Sequence, residues 1–293
     1  MRAIPPRLQL ALAALLFSTG GAAIKATTLT GWQVASFRSG VAALTVLLVA
    51  PAARRNWGWR PLVVGVAYAA TLILFVLANK LTTSANAIFL QSAAPLYMVL
   101  LGPLLLKEAV QRHDLVLMAA VGAGLALFFL GADVPSSTAP DPATGNTLAI
   151  LSGVCWAFTV AGLRWMGSHD GGDHAVTAVA IGNLLACLVC LPLALPLLSI
   201  TAGDVVAVLY LGVFQIAVAY LLVTAALRTV PALEASVLLL IEPAFNPVWA
   251  WLVHGERPSS WALLGGIVIV AATTAHSVWV ARRAARARAG AAA

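Results

Sequence analysis

The chain has 293 residues, 61% of them hydrophobic and 9% charged, with mean hydropathy +0.96. A soluble domain carries roughly 25% charged residues, so this few cannot cover a water-facing surface, and a membrane protein is the class that remains. The net charge of +7 is scattered in short gaps between apolar runs, not gathered with aromatics on one folded face, which excludes a nucleic-acid reading.

A spanning helix needs about 20 mostly apolar residues. The sequence supplies ten such runs: 8–26, 31–50, 61–80, 84–106, 113–131, 146–166, 175–198, 204–226, 232–253 and 259–281. The first follows Arg2 and Arg7 as a signal peptide would, but further spans follow it, and it reads as a retained first helix. Lys25 lies near its far end. Arg38 sits in the outer part of the second run, and Tyr68 and Asn79 lie on the third. The fourth carries Asn86, Gln91 and Pro95. Gly122, Gly124 and Gly131 mark the fifth as a close-packing helix. The gap around 131–145 is rich in Pro, Ser, Thr and Asp and is the natural seam between halves. Trp156 lies on the sixth run and Asn183 on the seventh. Cys187 and Cys190 also lie on the seventh, and a CxxC inside an apolar helix reads as packing, not redox chemistry. Gln215 and Tyr220 lie on the eighth, and Glu242, Pro243 and Asn246 on the ninth. The tenth holds Gly265 and Gly266, with His276 near its end. Pro61 and Pro231 suit first helical positions, and Ser259 suits an N-cap.

Two of these runs are imperfect copies of one another. Ser84–Glu108 and Ala232–Glu256 start 148 positions apart (232 against 84). The overlay brings Ala87 to Ala235, Leu90 to Leu238, Pro95 to Pro243, Leu104 to Leu252 and Glu108 to Glu256. Repeats of this kind in an apolar chain point to a transporter built from two halves around a central site. Five spans per half make the halves inverted. With the N terminus inside, 13 of the 17 basic residues fall in cytoplasmic segments, which places both termini in the cytoplasm. The others are Lys25, Arg38, Lys80 and Arg257. The basic tail RRAARARAG then lies against anionic inner-leaflet lipid.

The stretch ALRTVPALEASVLLLIEPAFNPVWAWLVHGERPSSWALLGGIVIV resembles the closing motif of an EamA repeat, the module of the drug/metabolite transporter superfamily. ANKLTTSANAIFLQSAAPLYMVLLGPLLLKE is a weaker version in the first half. VASFRSGVAALTVLL resembles the family's second helix, with Arg38 as its buried arginine. The resemblance implies an all-α membrane protein of ten helices in two inverted five-helix repeats, 1–135 and 146–281. A linker at 136–145 and a cytoplasmic tail at 282–293 complete the division. It further implies a central cavity lined by spans 1, 3, 4, 6, 8 and 9, with spans 5 and 10 peripheral.

Ionisable groups inside a span are functional candidates by default. Glu242 lies roughly 15 Å into its run at 1.5 Å per residue, about the midplane of a ~30 Å hydrocarbon core. It either binds a proton or cationic group or pairs structurally with a neighbouring helix. Arg38 either holds a substrate carboxylate or snorkels and bonds carbonyls. Lys25 stands at a cavity mouth or snorkels. Gln91, Asn79, Asn246, Gln215, Tyr68 and Trp156 are candidate substrate contacts, with interhelical bonding as the alternative for the amides. Pro95 and Pro243 are candidate helix breaks. Trp32, Trp57 and Trp59 read as interface anchors. No GxxxxGK[ST] follows a strand, which argues against a nucleotide site. SHDGGDH (168–174) matches no standard zinc spacing, so neither metal nor cofactor is expected. His113, His169, His174 and His254 fall in gaps and assemble no catalytic set.

The expected protein is thus an inner-membrane secondary transporter, not an enzyme. It moves a small organic metabolite by alternating access, with export favoured, as monomer or homodimer and with proton coupling open. Proton-coupled import, a channel or an intramembrane enzyme are the rival readings.

Overall fold

The computed structural model describes residues 4–93, 96–97, 112–130, 135–170, 173–197, 199–226, 230, 238–239 and 241–292. Pro95, Leu104 and Glu108 of the first repeated segment, and Ala235 of the second, lie outside them, as do Arg228 and Pro231.

The described chain is helical and forms no named strand. Helix α1 (Pro6–Ser18) is followed after one turn residue by α2 (Gly20–Lys25), then by α3 (Gly31–Val49), α4 (Trp59–Leu81) and α5 (Ser84–Gln91). Beyond them come α6 (Arg112–Leu130), α7 (Pro142–Asp170) and α8 (Asp173–Ala194). A single rod follows, made of α9 (Ala202–Tyr210), a π-helical stretch (Leu211–Val218) and α10 (Ala219–Ala226). The last two are α11 (Ile241–His254) and α12 (Ser260–Ala292). Among the described residues, six helical segments are long and apolar enough to cross a membrane: Pro6–Lys25, Gly31–Val49, Trp59–Leu81, Pro142–Leu163, His174–Ala194 and Ala202–Ala226. Ser260–His276 is a shorter apolar helix.

The Ser259 start signal read from the sequence is visible as a bond, and the structure adds a capping box that the sequence reading did not single out. Ser259 Oγ accepts from Ala262 N–H at 3.1 Å, capping α12. Thr30 and Gln33 form a reciprocal capping box on α3, which satisfies two donors that the first turn leaves orphaned. Pro61 lies two residues inside α4 and not at its first position. Pro243 falls in the first turn of α11, and a second proline, Pro247, sits inside that helix. Pro247 lacks the N–H that would bond the carbonyl of Pro243.

The helices run back and forth between two ends. One end gathers Lys25, Thr82, Asp204 and Glu256 and is called the lysine end below. The other gathers Arg55, Thr177, Asp114 and His276 and is called the arginine end. Leu44, Leu48, Val63, Val116, Val206 and Ile267 point outward, each more than half exposed. A bundle that shows this much aliphatic surface needs lipid around it. Trp57 and Trp59 are exposed near the arginine end. Cys190 is buried and Cys187 half-buried, and both are free thiols within the packing.

Small residues let these helices touch. An added Cβ on Gly124 would lie 3.0 Å from the Gly265 carbonyl, and one on Gly265 would lie 2.6 Å from the Gly124 carbonyl, so α6 and α12 cross backbone to backbone. Gly65 and Gly182 do the same for α4 and α8. A Cβ on Gly182 would fall 2.5 Å from Tyr68 Cδ1 and 2.8 Å from the Gly65 carbonyl. Gly182→Val is therefore expected to lower the melting temperature in detergent, by an amount matching about 1–3 kcal/mol of overpacking. Gly122→Ala, where nothing lies within 4 Å, serves as the neutral control. Equal melting of wild type and Gly182→Val contradicts the packing described.

Candidate functional site

Polar side chains gather at two levels of this apolar bundle, and the first is built around two irregularities in facing helices. The first irregularity is the break between α1 and α2. The Ser18 and Thr19 hydroxyls donate back to the carbonyls of Leu15 and Leu16, both at 2.7 Å. Back-bonding of this kind competes with the helix ladder and bends it. Two distant side chains grip the bend. Trp249 Nε1–H donates to Ser18 Oγ at 2.9 Å, and Tyr210 Oη lies 2.8 Å from Thr19 Oγ1. The second irregularity faces it. The π-helical turn at Leu211–Val218 carries Gln215, whose Nε2 would lie 2.7 Å from a Cβ on Gly20. Inserted π turns are rare and recur at functional sites.

Around this level lie six of the nine nominated residues. Tyr68 and Tyr220 meet edge to face with ring centroids 5.1 Å apart, and Phe17 approaches Tyr220 at 5.0 Å. Trp156 packs against the same cluster as Tyr68 and Tyr220. Arg38 is 1% exposed. It donates from Nη2 to the Leu72 carbonyl at 3.1 Å, and its Nε has no partner among the described residues. Tyr220 is within electrostatic reach of both Arg38 and Glu242. Glu242 is only partly exposed, and Asn246, one turn further along α11, is fully buried. Neither amide atom of Asn246 has a hydrogen bond among the described residues, and neither does Gln215 Oε1. Buried polar atoms left in this way cost about 1–3 kcal/mol each. Several at one level mark a place built to meet something else.

The other three nominees lie elsewhere. Gln91 is in a helix seam: its Nε2 donates to Ser152 Oγ at 2.8 Å, and Ser152 Oγ donates on to the Thr71 carbonyl at 3.1 Å. Asn79 donates to the Phe75 carbonyl at 2.9 Å, beside Gly21 and Ser84 under the lysine end. Lys25 neither snorkels nor stands at an open mouth. Its Nζ is 2.9 Å from Glu256 Oε1, with the two side chains 4% and 3% exposed. The same ammonium donates to the Thr82 carbonyl at 2.8 Å and to the Thr138 carbonyl.

Glu256 was visible in the sequence only as the repeat counterpart of Glu108. Gly255, at φ +66°, turns the chain past the end of α11 in a conformation that suits glycine, and Glu256 is thereby directed inward. Its Oε2 accepts from Ser84 N–H at 2.9 Å. Further bonds thicken this closure. Lys80 donates to the Thr27 carbonyl at 2.8 Å, Thr28 Oγ1 donates to Asp204 Oδ2 at 2.8 Å, and His254 Nε2 lies 2.8 Å from the Ala22 carbonyl. The lysine end is thus tied together both within the segment before Asn86 and, through Lys25–Glu256, Lys25–Thr138, Thr28–Asp204, Ser84–Glu256 and Ala22–His254, to segments after Pro135.

One cluster of potential ligand side chains was not visible in the sequence. His113, Asp114 and His276 lie together at the arginine end of α6 and α12, although sequence spacing leaves them apart. His174 stays outside that group, and the side chains of 168–173 lie outside the described ones.

The ion pair yields a sharp expectation. Removing one partner of a buried pair leaves an uncompensated charge and costs about 3–5 kcal/mol, whereas replacing both is often close to neutral. Glu256→Gln should lower thermal stability strongly, and Lys25→Gln/Glu256→Gln together should recover most of the loss. Additive losses in that double-mutant cycle would show that the two groups do not interact.

Comparison with known proteins places this arrangement. The EamA-like transporter family matches residues 7–130 and again 143–277. The chain is 30% identical to the threonine/homoserine exporter RhtA of Escherichia coli strain K12 over 189 residues, covering 61% of this chain and 60% of that one. It is 28% identical to the exporter of the same name from Salmonella typhimurium strain SL1344, covering 62% and 61%. An uncharacterized transporter of Archaeoglobus fulgidus is 26% identical, covering 67% of each chain. The match thus spans about six tenths of the length of the named exporters. A solved crystal structure shares the fold, with TM-score 0.64 at 20% identity, covering 95% of this chain and 98% of that one. With two family matches covering most of its length on an apolar helical bundle, this chain belongs to the EamA-like transporter family and is a multi-pass membrane protein.

Proposed function

We propose that the chain is a secondary transporter exporting a small amino-acid-like metabolite by alternating access. The observation that carries this reading is the polar level in mid-bundle. Arg38 and Glu242 both lie within electrostatic range of Tyr220, and Asn246 and Gln215 carry buried atoms without a hydrogen bond among the described residues. A zwitterion is complementary to such a pair. Its carboxylate matches Arg38, its ammonium matches Glu242, and a short side chain fits the aromatic wall of Tyr68, Trp156 and Tyr220. The similarity to threonine/homoserine exporters supports this size and charge class and the outward direction.

In this reading the repeats are 1–135 and 146–281, joined by the linker at 136–145, with 282–293 as a basic tail. The arginine end faces the cytoplasm of an inner membrane and the lysine end faces outward. The Lys25–Glu256 seal closes the outer side while the site communicates with the cytoplasm. Breaking that seal as the inner side closes is the switch. Glu242 then carries either the substrate ammonium or a coupling proton. Pro243 and Pro247 loosen the backbone around it.

Counterflow in proteoliposomes tests the proposal. Wild type should exchange L-threonine or L-homoserine with saturable kinetics and without ionic conductance. Glu242→Gln keeps size and removes the charge change, so it should abolish the pH dependence of flux or substrate exchange itself. Flux and pH profile both equal to wild type would remove Glu242 from the mechanism. A steady ionic conductance without saturable exchange would favour a channel.

A further inference from the structure

We propose that His113, Asp114 and His276 form a binding site for one divalent transition-metal cation of the zinc class, at the arginine end of the α6–α12 pair. His113 Nε2 is 3.3 Å and His276 Nε2 is 2.9 Å from the same oxygen, Asp114 Oδ1. All three ligand atoms lie within 4.8 Å of one another. In a tetrahedral site with metal–ligand bonds of about 2.0–2.1 Å, neighbouring ligand atoms are about 3.3 Å apart. The two distances to Asp114 Oδ1 match that spacing within a few tenths of an ångström, and the third side, within 4.8 Å, closes by a side-chain adjustment. Two imidazoles and one carboxylate select zinc, cobalt, nickel or copper over magnesium or calcium, and they leave a fourth position for water.

The scaffold holds these groups in place. His113 and Asp114 sit in the first turn of α6, and His276 lies 162 residues beyond Asp114 on α12. The backbone contact between Gly124 and Gly265 sets the helix spacing, so the ligand-bearing ends cannot drift apart. The His113 and His276 rings are stacked at 5.1 Å, and the Trp279 ring covers His113 at 4.0 Å. Arg283 lies over that indole at 5.2 Å, and Arg112 and Arg282 are its cationic neighbours in sequence. The surrounding field therefore does not attract a cation, and affinity has to come from direct coordination. Side chains at 23%, 16% and 20% exposure leave an entry path from the membrane surface. A bound cation ties the last helix of one half of the chain to that of the other.

The test uses the full chain purified in detergent with a histidine-free tag and stripped with chelator. Titration with Co²⁺ should show one equivalent bound with visible d–d absorption, displaced by Zn²⁺. His276→Asn and Asp114→Asn should each weaken binding at least tenfold, while His174→Asn should leave it unchanged. Zn²⁺ should also protect wild-type His276 from diethyl pyrocarbonate, a readout that does not depend on any variant folding. Absence of Co²⁺ uptake at tenfold excess overturns the site. So does uptake that survives His276→Asn or disappears in His174→Asn, and so does unprotected His276 in the presence of Zn²⁺.

Discussion

The buried ion pair between Lys25 and Glu256 is the constraint on which the rest of the arrangement hangs. Two charges almost without solvent contact are tolerable only when each is fully bonded. Here the ammonium also reaches the carbonyls of Thr82 and Thr138, and the carboxylate reaches the Ser84 amide. One pair therefore fixes the end of α2, the α4–α5 turn, the linker and the turn after α11. In the proposed cycle these are the bonds exchanged for water when that end opens. Exposed to water, the partners lose little, because a solvated pair is worth about 0–1 kcal/mol and the desolvation cost is returned. A seal of this kind is strong against thermal drift and cheap to exchange in a moving cycle.

Below that seal the bundle is irregular where it is polar. The Ser18–Thr19 bend, the π turn under Gln215 and Pro247 of α11 all interrupt an apolar helical run. Each one frees or redirects backbone groups that regular helices would consume. In lipid, non-regular backbone is tolerated only inside protein or beside a cavity. The coincidence of three irregularities with buried, unbonded amides supports a solute site more strongly than any one residue does.

Much of the fold was legible because length and apolar content determine spanning helices, and those signals are local. The third run, read as 61–80, is the helix Trp59–Leu81. The π turn was not legible, since LGVFQIAV has the composition of any apolar helix. Glu256 was overlooked as a partner because it follows an αL glycine outside the apolar run, and its lysine is 231 positions away (256 against 25). The grouping of His113, Asp114 and His276 was not legible for the same reason, since helix crossing and not spacing brings them together. The Ser18–Thr19 bend did leave a trace. Two hydroxyl residues precede Gly20 and Gly21 inside an apolar run, the composition at which helices bend. Arg38, Tyr68 and Glu242 stood out in the sequence because charge and aromatic hydroxyls are conspicuous against lipid. Gln91 looked equally conspicuous and proved to bond Ser152 in a seam, which is the usual fate of an amide between helices.

The claim that the Lys25–Glu256 closure is one of two working states can be measured as a distance. Spin labels at Ala26 and Arg257, both exposed beside the pair, can be placed in a background where the three native cysteines are replaced. Double electron–electron resonance in reconstituted membranes should then show a short separation in the wild-type pair. It should show a second, longer population when Glu256→Gln removes the attraction, with the balance shifting under an imposed solute gradient. One unchanged distance in both backgrounds and under any gradient would contradict the account, leaving the pair as a static rivet.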